Sequence, residues 1–125
     1  MLEKHVQRNI ADFLNAKQLL WCHVPNEEKA LSRIKKTNKD WFWGILTELE
    51  KQGRKKGVPD ILIFNTPPAF PDKKGLALEL KRDDPKAKPS DEQMKWLVDL
   101  NKQGWLCAVA NGQDEALRKL QLAGF

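Results

Sequence analysis

The segment from Pro59 to Phe64, PDILIF, constrains the fold most, because a single aspartate precedes four apolar residues in a row. A run that is apolar on both faces is typical of a strand in the middle of a sheet covered on both sides. Pro67, Pro68 and Pro71 then exclude the following stretch from any central strand. A second strand is predicted from Leu76 to Arg82, where leucine alternates with other residues. We therefore predict that the two segments form an antiparallel hairpin.

Hydrophobic periodicity divides the rest of the chain into further helices and strands. Helices are predicted over residues 3–14, 27–36, 41–52, from Ser90 up to Gly104 and over 114–122, and strands over 19–24 and 105–110. Helices mixed with strands that are apolar on both faces predict an α/β fold, with a mixed central sheet flanked by helices on both faces. At 125 residues, one domain over 1–125 is expected.

The charge balance of the chain favours a polyanionic partner. The 22 basic and 17 acidic residues give a formal net charge of +5 and an isoelectric point near 9.3. No apolar stretch approaches the roughly 20 residues of a membrane helix, and the first residues lack the apolar core of a secretory signal. We therefore expect a cytoplasmic protein with no membrane partner.

Three charged residues of the predicted hairpin are expected to meet at one of its ends. An antiparallel pairing places Asp60 beside Glu79 and Lys81. Opposed β-carbons lie roughly 4.5–5.5 Å apart, and the strand period of two keeps Glu79 and Lys81 on one face. Two carboxylates suit a hard cation such as Mg²⁺ or Mn²⁺, and an ammonium group balances charge on a phosphate. The cluster predicts metal-dependent phosphodiester hydrolysis; the alternative is the exposed edge of a half-buried strand.

Basic residues flank both predicted strands at this same end. They are Arg54, Lys55 and Lys56 before the first strand, and Arg82, Lys86 and Lys88 after the second. A solvated surface is the common explanation for any one such cluster, but two clusters bordering one site are expected to contact the phosphate backbone of the substrate. Charge alone does not separate DNA from RNA or anionic lipid.

Other metal and nuclease sites fit the composition poorly. The absence of tyrosine excludes a GIY-YIG site, and two histidines are too few for an HNH site. Cys22 and Cys107 lie in apolar strand segments, so they are predicted to be buried free thiols without zinc. His23 is interpreted as a core histidine, with a DNA-facing role left open.

Together the motifs resemble the VRR-NUC family of the PD-(D/E)xK nuclease superfamily, whose small stand-alone members occur in phages. The resemblance rests on GVPDILIF (57–64), on ALELKR (77–82) and on Gln93 in SDEQMKWLVDL. Glu3 in LEKHVQ matches the acidic residue of the family's first helix. The resemblance covers most of the chain, but residues 37–52 are not obviously matched and are interpreted as a local insertion.

The resemblance implies a restriction-endonuclease-like core and a role for each matched residue. The implied metal ligands are Asp60, Glu79 and the backbone carbonyl of Leu80, with Glu3 holding a second cation or its waters; Lys81 would position the attacking water and Gln93 would orient water or the lysine. For Glu3, an exposed acid at a helix amino terminus is the alternative. Gln93 is also the expected capping-box partner of Ser90, and the two roles can coexist.

The resemblance further implies cation-dependent cleavage of branched DNA such as Holliday junctions, by a homodimer, in the host cytoplasm if the chain is phage-encoded. The Trp41-Phe42-Trp43 segment is the candidate for part of the dimer interface, with a place in the core and a base-stacking platform as the alternatives. Two alternatives stay open: a nuclease for flaps, nicks or DNA ends, and a DNA-binding module of the same fold without catalysis.

Overall fold

The computed structural model describes residues 3–26 and 31–125. The helices and strands of this part of the chain are α1 Glu3–Ala16, β1 Trp21–His23, α2 Ser32–Thr37, α3 Lys39–Lys51, β2 Ile61–Ile63, β3 Leu76–Lys81, α4 Asp91–Lys102, β4 Leu106–Asn111 and α5 Gln113–Leu122. Of the predicted helix over 27–36, residues 27–30 lie outside the described part and 32–36 belong to α2. In the part of the chain that the structure describes, each helix is too short or too polar to cross a bilayer.

The four strands form one mixed sheet in the order β1-β2-β3-β4. β1 pairs antiparallel with β2, β2 pairs antiparallel with β3, and β3 pairs parallel with β4. The predicted hairpin and the predicted central position of its first strand, β2, are confirmed, and β3 is central as well. β2 is shorter than the predicted Pro59–Phe64: Pro59 has no N–H for the ladder, and Phe64 lies just beyond the strand with 45% of its surface exposed.

Helices cover both faces of the sheet, as predicted. On one face, the leucines Leu76 and Leu78 of β3 pack with Ile10 and Leu14 of α1 and with Leu120 of α5. The opposite face of β3 carries Glu79 and lies against α4, whose Gln93 side chain is hydrogen-bonded to that carboxylate. The central strands are therefore buried on both sides, which explains their nearly continuous apolar sequence.

The edge strands are less buried than their apolar sequences predict. Cys22 and His23 of β1 are exposed, so their assignment to the core is wrong. Cys107 of β4 is partly buried, and both thiols are free. Since β1 and β4 lie at opposite edges of the sheet, about 14 Å apart at 4.8 Å per strand, the cysteines cannot share a disulfide or a metal ion.

α2 and α3 form a helical hairpin before β2. The side chain of Asn38 caps α3 by accepting a hydrogen bond from the Trp41 N–H at 3.0 Å. The helix is followed by Gly53, whose φ of 108° is typical of a glycine just after the end of a helix. Phe42 is fully buried, whereas Trp41 and Trp43 are 59% and 45% exposed. The three aromatic residues therefore do not form one continuous exposed patch.

Candidate active site

The start of β2 and the end of β3 bring Asp60 and Glu79 together. The register that pairs Ile61 with Leu78 continues outward to place Asp60 opposite Glu79. The Leu80 N–H donates a 2.7 Å hydrogen bond to Asp60 Oδ2, which fixes the carboxylate against β3. In a β-strand, the N–H and C=O of one residue project towards the same neighbour. The Leu80 carbonyl therefore lies on the Asp60 side of β3 as well.

The backbone of Asp60 is held by the edge strand β1. The Asp60 carbonyl accepts a 2.8 Å hydrogen bond from the Val24 N–H. The His23 ring also lies at this carbonyl, with Nδ1 at 3.1 Å, and it donates there when Nδ1 carries the proton. This position beside Asp60 replaces the predicted core location of His23. The apolar neighbours in the sequence concealed it, because they gave no sign that β1 is an edge strand.

Glu79 is an acidic side chain placed deep in the protein. It is 1% exposed, although the residues on either side of it in β3 are leucines. Its Oε1 accepts a 2.9 Å hydrogen bond from Gln93 Nε2 and lies 3.7 Å from Lys81 Nζ. Its Oε2 is buried and accepts no hydrogen bond from the described residues, unless a proton is shared with the neighbouring Asp60 carboxyl group. A buried carboxylate oxygen without a partner is costly, so this atom calls for a ligand.

Gln93 joins the carboxylate to the lysine. Its Oε1 accepts hydrogen bonds from Lys81 Nζ at 2.7 Å and from the Ser90 N–H at 2.8 Å, while Nε2 donates to Glu79. The opposite orientation of the Gln93 amide would place its NH₂ group against the N–H donors of Lys81 and Ser90. These two neighbours therefore fix the orientation of the amide. Ser90 Oγ in turn accepts from the Gln93 N–H at 3.2 Å, which completes the predicted capping box. Capping and the contact with the site thus coexist.

Gly57 allows α4 to approach the strand that carries Asp60. Its φ is 86°, and a β-carbon there would lie 2.8 Å from the Glu92 carbonyl carbon and 2.9 Å from the Gln93 nitrogen. Only glycine has both the freedom to adopt this backbone and the space to fit it. The close approach holds the first turn of α4, and with it Gln93, over the end of β3.

The electrostatics of the two carboxylates reflect their burial. Desolvation is the main cause that raises the pKa of Glu79 to about 8, and the nearby charge of Asp60 raises it further, against the opposing effect of Lys81. Desolvation also raises the pKa of Asp60, while the hydrogen bond from Leu80 opposes the shift. Two close carboxyl groups with one ammonium group therefore share a proton near neutral pH unless another cation is present.

The donors at this site fit a hard divalent cation. Two carboxylates and a backbone carbonyl form an all-oxygen set, which Mg²⁺ and Mn²⁺ prefer. The unpartnered Oε2 of Glu79 is an atom that such a cation would satisfy. Among the side chains that the structure describes, no three His, Cys, Asp or Glu residues cluster, so Asp60 and Glu79 are the acidic pair at this position. The side chain of Glu3, predicted as a further ligand, lies outside the described residues; its backbone begins α1.

A cleft of about 350 Å³ opens beside Asp60 and Gln93. Val24, Pro25, Trp96 and the segment 54–58 contribute to its walls. The Trp96 indole N–H donates to the Lys56 carbonyl at 3.0 Å, so α4 holds this basic segment in place. Arg54 is 8% exposed and lies 3.6 Å from Glu50, whereas Lys55 and Lys56 are exposed. Of the predicted cluster 54–56, the two lysines are thus the residues open to a polyanion.

Asn111 at the end of β4 holds the second basic segment. It pairs with Lys81 in the parallel ladder, and its Nδ2 donates to the carbonyls of Asp84 at 2.9 Å and Ala87 at 2.8 Å. These bonds shape the loop that carries the predicted DNA-binding residues Arg82, Lys86 and Lys88, all of them exposed. The sequence interpretation missed Asn111 and Trp96. The available signal for Asn111 was its position as a polar residue at the end of an apolar strand. The register that pairs it with Lys81 could not be read from the sequence.

The comparisons with known proteins agree with this architecture. A family model described as the VRR-NUC domain matches residues 1–114. A solved structure described as a VRR_NUC domain protein superposes with a TM-score of 0.69 at 21% identity, over 97% of this chain and 86% of the other. At that identity the likeness shows a shared fold. No curated protein matches the chain significantly. Because the family match spans 114 of the 125 residues, this chain belongs to the VRR-NUC family, which has a nuclease-type fold.

Proposed function

We propose that this chain is a Mg²⁺- or Mn²⁺-dependent endodeoxyribonuclease that hydrolyses phosphodiester bonds in branched DNA. One observation carries the proposal: Glu79 is 1% exposed, lies opposite Asp60, and has a buried Oε2 that receives no hydrogen bond from the described residues. A carboxylate kept only for folding would have both of its oxygens satisfied or would lie at the surface. A buried acid that lowers stability and faces a second acid is instead typical of a catalytic metal site.

The chain's own oxygens would hold the cation. Asp60, Glu79 and the Leu80 carbonyl are the proposed ligands, and Glu3 is proposed as a further one. The cation would supply positive charge that offsets the charge developing on the phosphate oxygens. Asp60 is oriented for this role by the Leu80 N–H at 2.7 Å, and Glu79 by Gln93 at 2.9 Å. These hydrogen bonds fix the ligands before any substrate arrives.

Lys81 is the proposed group that positions the attacking water and contacts the phosphate. Its side chain is 19% exposed, so the ammonium group reaches the open side of the site. Gln93 accepts one of its three N–H bonds, which leaves donors for water and for a phosphate oxygen. Gln93 is therefore proposed as a positioning residue, since it holds both Lys81 and Glu79 in place.

The exposed lysines beside the site support DNA as the substrate. Lys55 and Lys56 lie at the cleft, and Lys86 and Lys88 lie on the loop after β3. Contacts of this kind neutralise phosphates without regard to sequence. We propose four-way junctions as the branched substrate and a homodimer as the acting form, because symmetric cleavage of a junction needs two active sites and each chain supplies one.

The proposal is tested by cleavage of a four-way junction, a flap, a nicked duplex and a linear duplex, each with Mg²⁺, Mn²⁺ or EDTA. Wild-type protein is compared with Asp60→Ala and Lys81→Ala, and Asp72→Ala in the exposed loop before β3 is the matched control. We expect cation-dependent cutting by the wild type and the control only. The preferred substrate then separates junction resolution from cleavage at flaps, nicks or ends.

Two outcomes would overturn the mechanism. Equal cutting by all four proteins would place the activity elsewhere or in a contaminant. Binding of every DNA without cutting, with either cation, would identify a DNA-binding module of the same fold. Sedimentation of the active protein at micromolar concentration tests the dimer separately. A monomer that still cuts junctions on both strands would contradict the proposed homodimer.

A further inference from the structure

A groove of about 380 Å³ lies between α4 and the edge strand β4, and it shares no lining residue with the active-site cleft. Met94, Leu97 and Val98 of α4 form one wall of this α4–β4 groove, and Cys107 and Val109 of β4 contribute to the other. Met94 is 44% exposed and Val98 is 48% exposed. Exposed apolar side chains that border an apolar groove are typical of a protein contact surface.

The outer edge of β4 is already occupied by side chains of α5. Leu106 directs its N–H towards β3, so Val109 and Asn111 direct their backbone groups outward. Lys119 Nζ donates to the Val109 carbonyl, and the Asn111 N–H donates to Glu115 Oε1 at 3.3 Å. A further strand would have to break these bonds to extend the sheet. The occupant of the groove is therefore expected to pack through side chains, as a helix does.

The exposed face of α4 is acidic at its start and basic at its end. Asp91 and Lys102 are eleven residues apart, which is about three turns of helix, and they therefore project from the same face as Val98. All three residues are exposed. Among the described residues, neither Asp91 nor Lys102 has an ion-pair partner. Lys95 and Asp99 are a second exposed pair of opposite charges, nearer the middle of the helix.

This order of charges makes α4 complementary to an antiparallel copy of itself. A two-fold axis beside residues 96 and 97 places Asp91 of each copy opposite Lys102 of the other. A two-fold contact brings one surface against itself, so it requires such self-complementarity. The exposed charged residues of α4 are three acids and two bases, a net charge of −1, which gives DNA no electrostatic attraction to this face. A second copy of the chain is therefore the favoured occupant.

The opposite side of α4 belongs to the active site. Gln93 donates to Glu79 at 2.9 Å and accepts from Lys81 at 2.7 Å, and it lies well around the helix from Val98. Contact through the outer face would leave these hydrogen bonds unchanged. With the axis beside residues 96 and 97, the two copies of Gln93 would be offset by seven residues, or about 10 Å along the helices at 1.5 Å per residue. One pair of helices would thus hold both active sites.

We propose that two copies of this chain associate through the α4–β4 groove, with their α4 helices antiparallel and Asp91 of each copy paired with Lys102 of the other. The inference rests on the proposed function, because it names the contact surface of the homodimer proposed there. It places the subunit contact on α4 in place of the Trp41-Phe42-Trp43 segment, whose central residue is fully buried.

The first test is sedimentation of Val98→Asp. The variant puts one unpaired charge from each copy into the contact, so it should weaken the dimer by at least about 100-fold. Its circular dichroism should match that of the wild type, since Val98 is 48% exposed. Trp41→Asp is the matched control, at an exposed apolar residue of the alternative segment, and it should leave the dimer unchanged.

The second test mixes two charge-reversal variants. Asp91→Lys alone brings two lysines together at each end of the contact, and Lys102→Glu alone brings two acids together, so each should weaken its own dimer by at least about 10-fold. An equimolar mixture restores opposite charges at both ends, and it should form a heterodimer within about threefold of the wild-type affinity. Glu48→Lys makes the same charge change on α3, so mixing it with Lys102→Glu should restore nothing.

The outcomes separate this inference from the nuclease chemistry. A dimer that survives Val98→Asp, or variants that the mixture does not rescue, would overturn the inference alone. A wild type that is monomeric at micromolar concentration would overturn both the inference and the proposed homodimer, whereas its cation-dependent cutting of linear duplex would leave the chemistry standing. Weaker DNA binding by Val98→Asp with unchanged sedimentation would assign the groove to DNA instead.

Cleavage of a supercoiled plasmid that extrudes a four-way junction gives a functional readout. A dimer that cuts both strands during one binding event converts the plasmid directly to its linear form. Monomeric Val98→Asp should retain cation-dependent nicking but yield nicked circles in place of linear plasmid. Linear product from a variant that sediments as a monomer would contradict the link between the α4 contact and paired cleavage.

Discussion

The two ends of the β2–β3 pair are chemically opposite, although each contains a fully buried residue of β3. At one end, Ile63 lies opposite Leu76, with 0% and 1% of their surfaces exposed. At the other end, Glu79 is also 1% exposed, but it lies opposite Asp60. Burial of the apolar pair stabilises the fold by roughly 25 cal/mol per Å² of apolar surface. Burial of the acidic pair raises both pKa values, which opposes folding.

The two ends also differ in what lies beyond them. Beyond Leu76, Gly75 packs so closely that a β-carbon there would lie 2.7 Å from the Trp105 ring, and the end of the hairpin is closed by side chains. Beyond Asp60 lies the cleft, lined by the basic segment and by Trp96. The same pair of strands therefore stabilises the core at one end and holds charged groups beside an opening at the other.

The largest expected effect is the loss of cleavage in Asp60→Asn. Asparagine keeps the shape and can accept the Leu80 hydrogen bond, but it lacks the charge required of a metal ligand. Cleavage should fall more than the roughly 10- to 100-fold typical of residues that only orient a ligand, and the fold should persist. Single-turnover cleavage and circular dichroism measure the two properties, with Asp72→Asn as control. Retention of more than a tenth of the activity would contradict the metal-ligand assignment.

The apolar end should show the opposite response in Ile63→Ala. Removal of a fully buried isoleucine should lower the free energy of unfolding by about 2–5 kcal/mol. Cleavage per folded molecule should change little, because the side chain lies at the far end of the strand pair. Urea unfolding measures the loss, and Leu122→Ala at a residue that is 65% exposed is the control. A larger effect on cleavage than on unfolding would show that the two ends are not independent.

Gly57→Ala tests the acidic end of the strand pair by displacing α4, while the proposed metal ligands themselves are unchanged. The added methyl group would displace the first turn of the helix, which holds Gln93 against Glu79 and Lys81. Cleavage should fall by about 10- to 100-fold, as for other groups that orient a metal ligand. Gly104→Ala is the matched control, since its φ is also positive, at 93°, but its nearest neighbour is the flexible Lys74 at 3.5 Å. Equal losses of cleavage in both variants would show that backbone strain at a positive φ, and not displacement of α4, causes the loss.

Glu79→Gln should stabilise the metal-free protein while abolishing cleavage. In the wild type the pKa of Glu79 is raised to about 8, so its contribution to stability is full at pH values below the unfolded pKa near 4.5 and is lost as pH rises towards 8. The loss cannot exceed about 1.4 kcal/mol per pH unit for one proton. In EDTA, the free energy of unfolding of the variant should therefore exceed that of the wild type by an amount that grows from pH 5 to pH 8, as measured by urea unfolding. Glu48→Gln, exposed on α3, should show no such trend.

The smallest expected effect concerns the exposed lysines at the cleft. Lys55→Ala with Lys56→Ala should reduce the slope of log K against log[salt] for duplex binding by up to about 1.8, or 0.9 for each lost phosphate contact. Arg54→Ala should change this slope less, because its side chain is 8% exposed and lies beside Glu50. Binding titrations between 50 and 200 mM salt compare the variants. An unchanged slope in the double variant would remove this segment from the DNA-binding surface.

Local pattern was sufficient for much of the fold. Alternation and proline placement predicted β2 and β3 as adjacent antiparallel strands, and the pair Ser90 and Gln93 predicted the capping box of α4. These features depend on residues that are near one another in sequence, so they can be predicted from the local sequence pattern. The core assignments of Cys22 and His23 failed because a strand's place at the edge of a sheet depends on distant segments.

The sequence by itself determined the chemistry: an aspartate before an apolar strand, a glutamate and a lysine two residues apart on the next strand, and a glutamine one helix later. The tertiary structure decided how these groups interact. It buried Glu79, joined it to Lys81 through Gln93, and brought Asn111 to the loop after β3. Burial, pKa and parallel register are set by contacts between distant segments, and for this physical reason no local pattern encodes them.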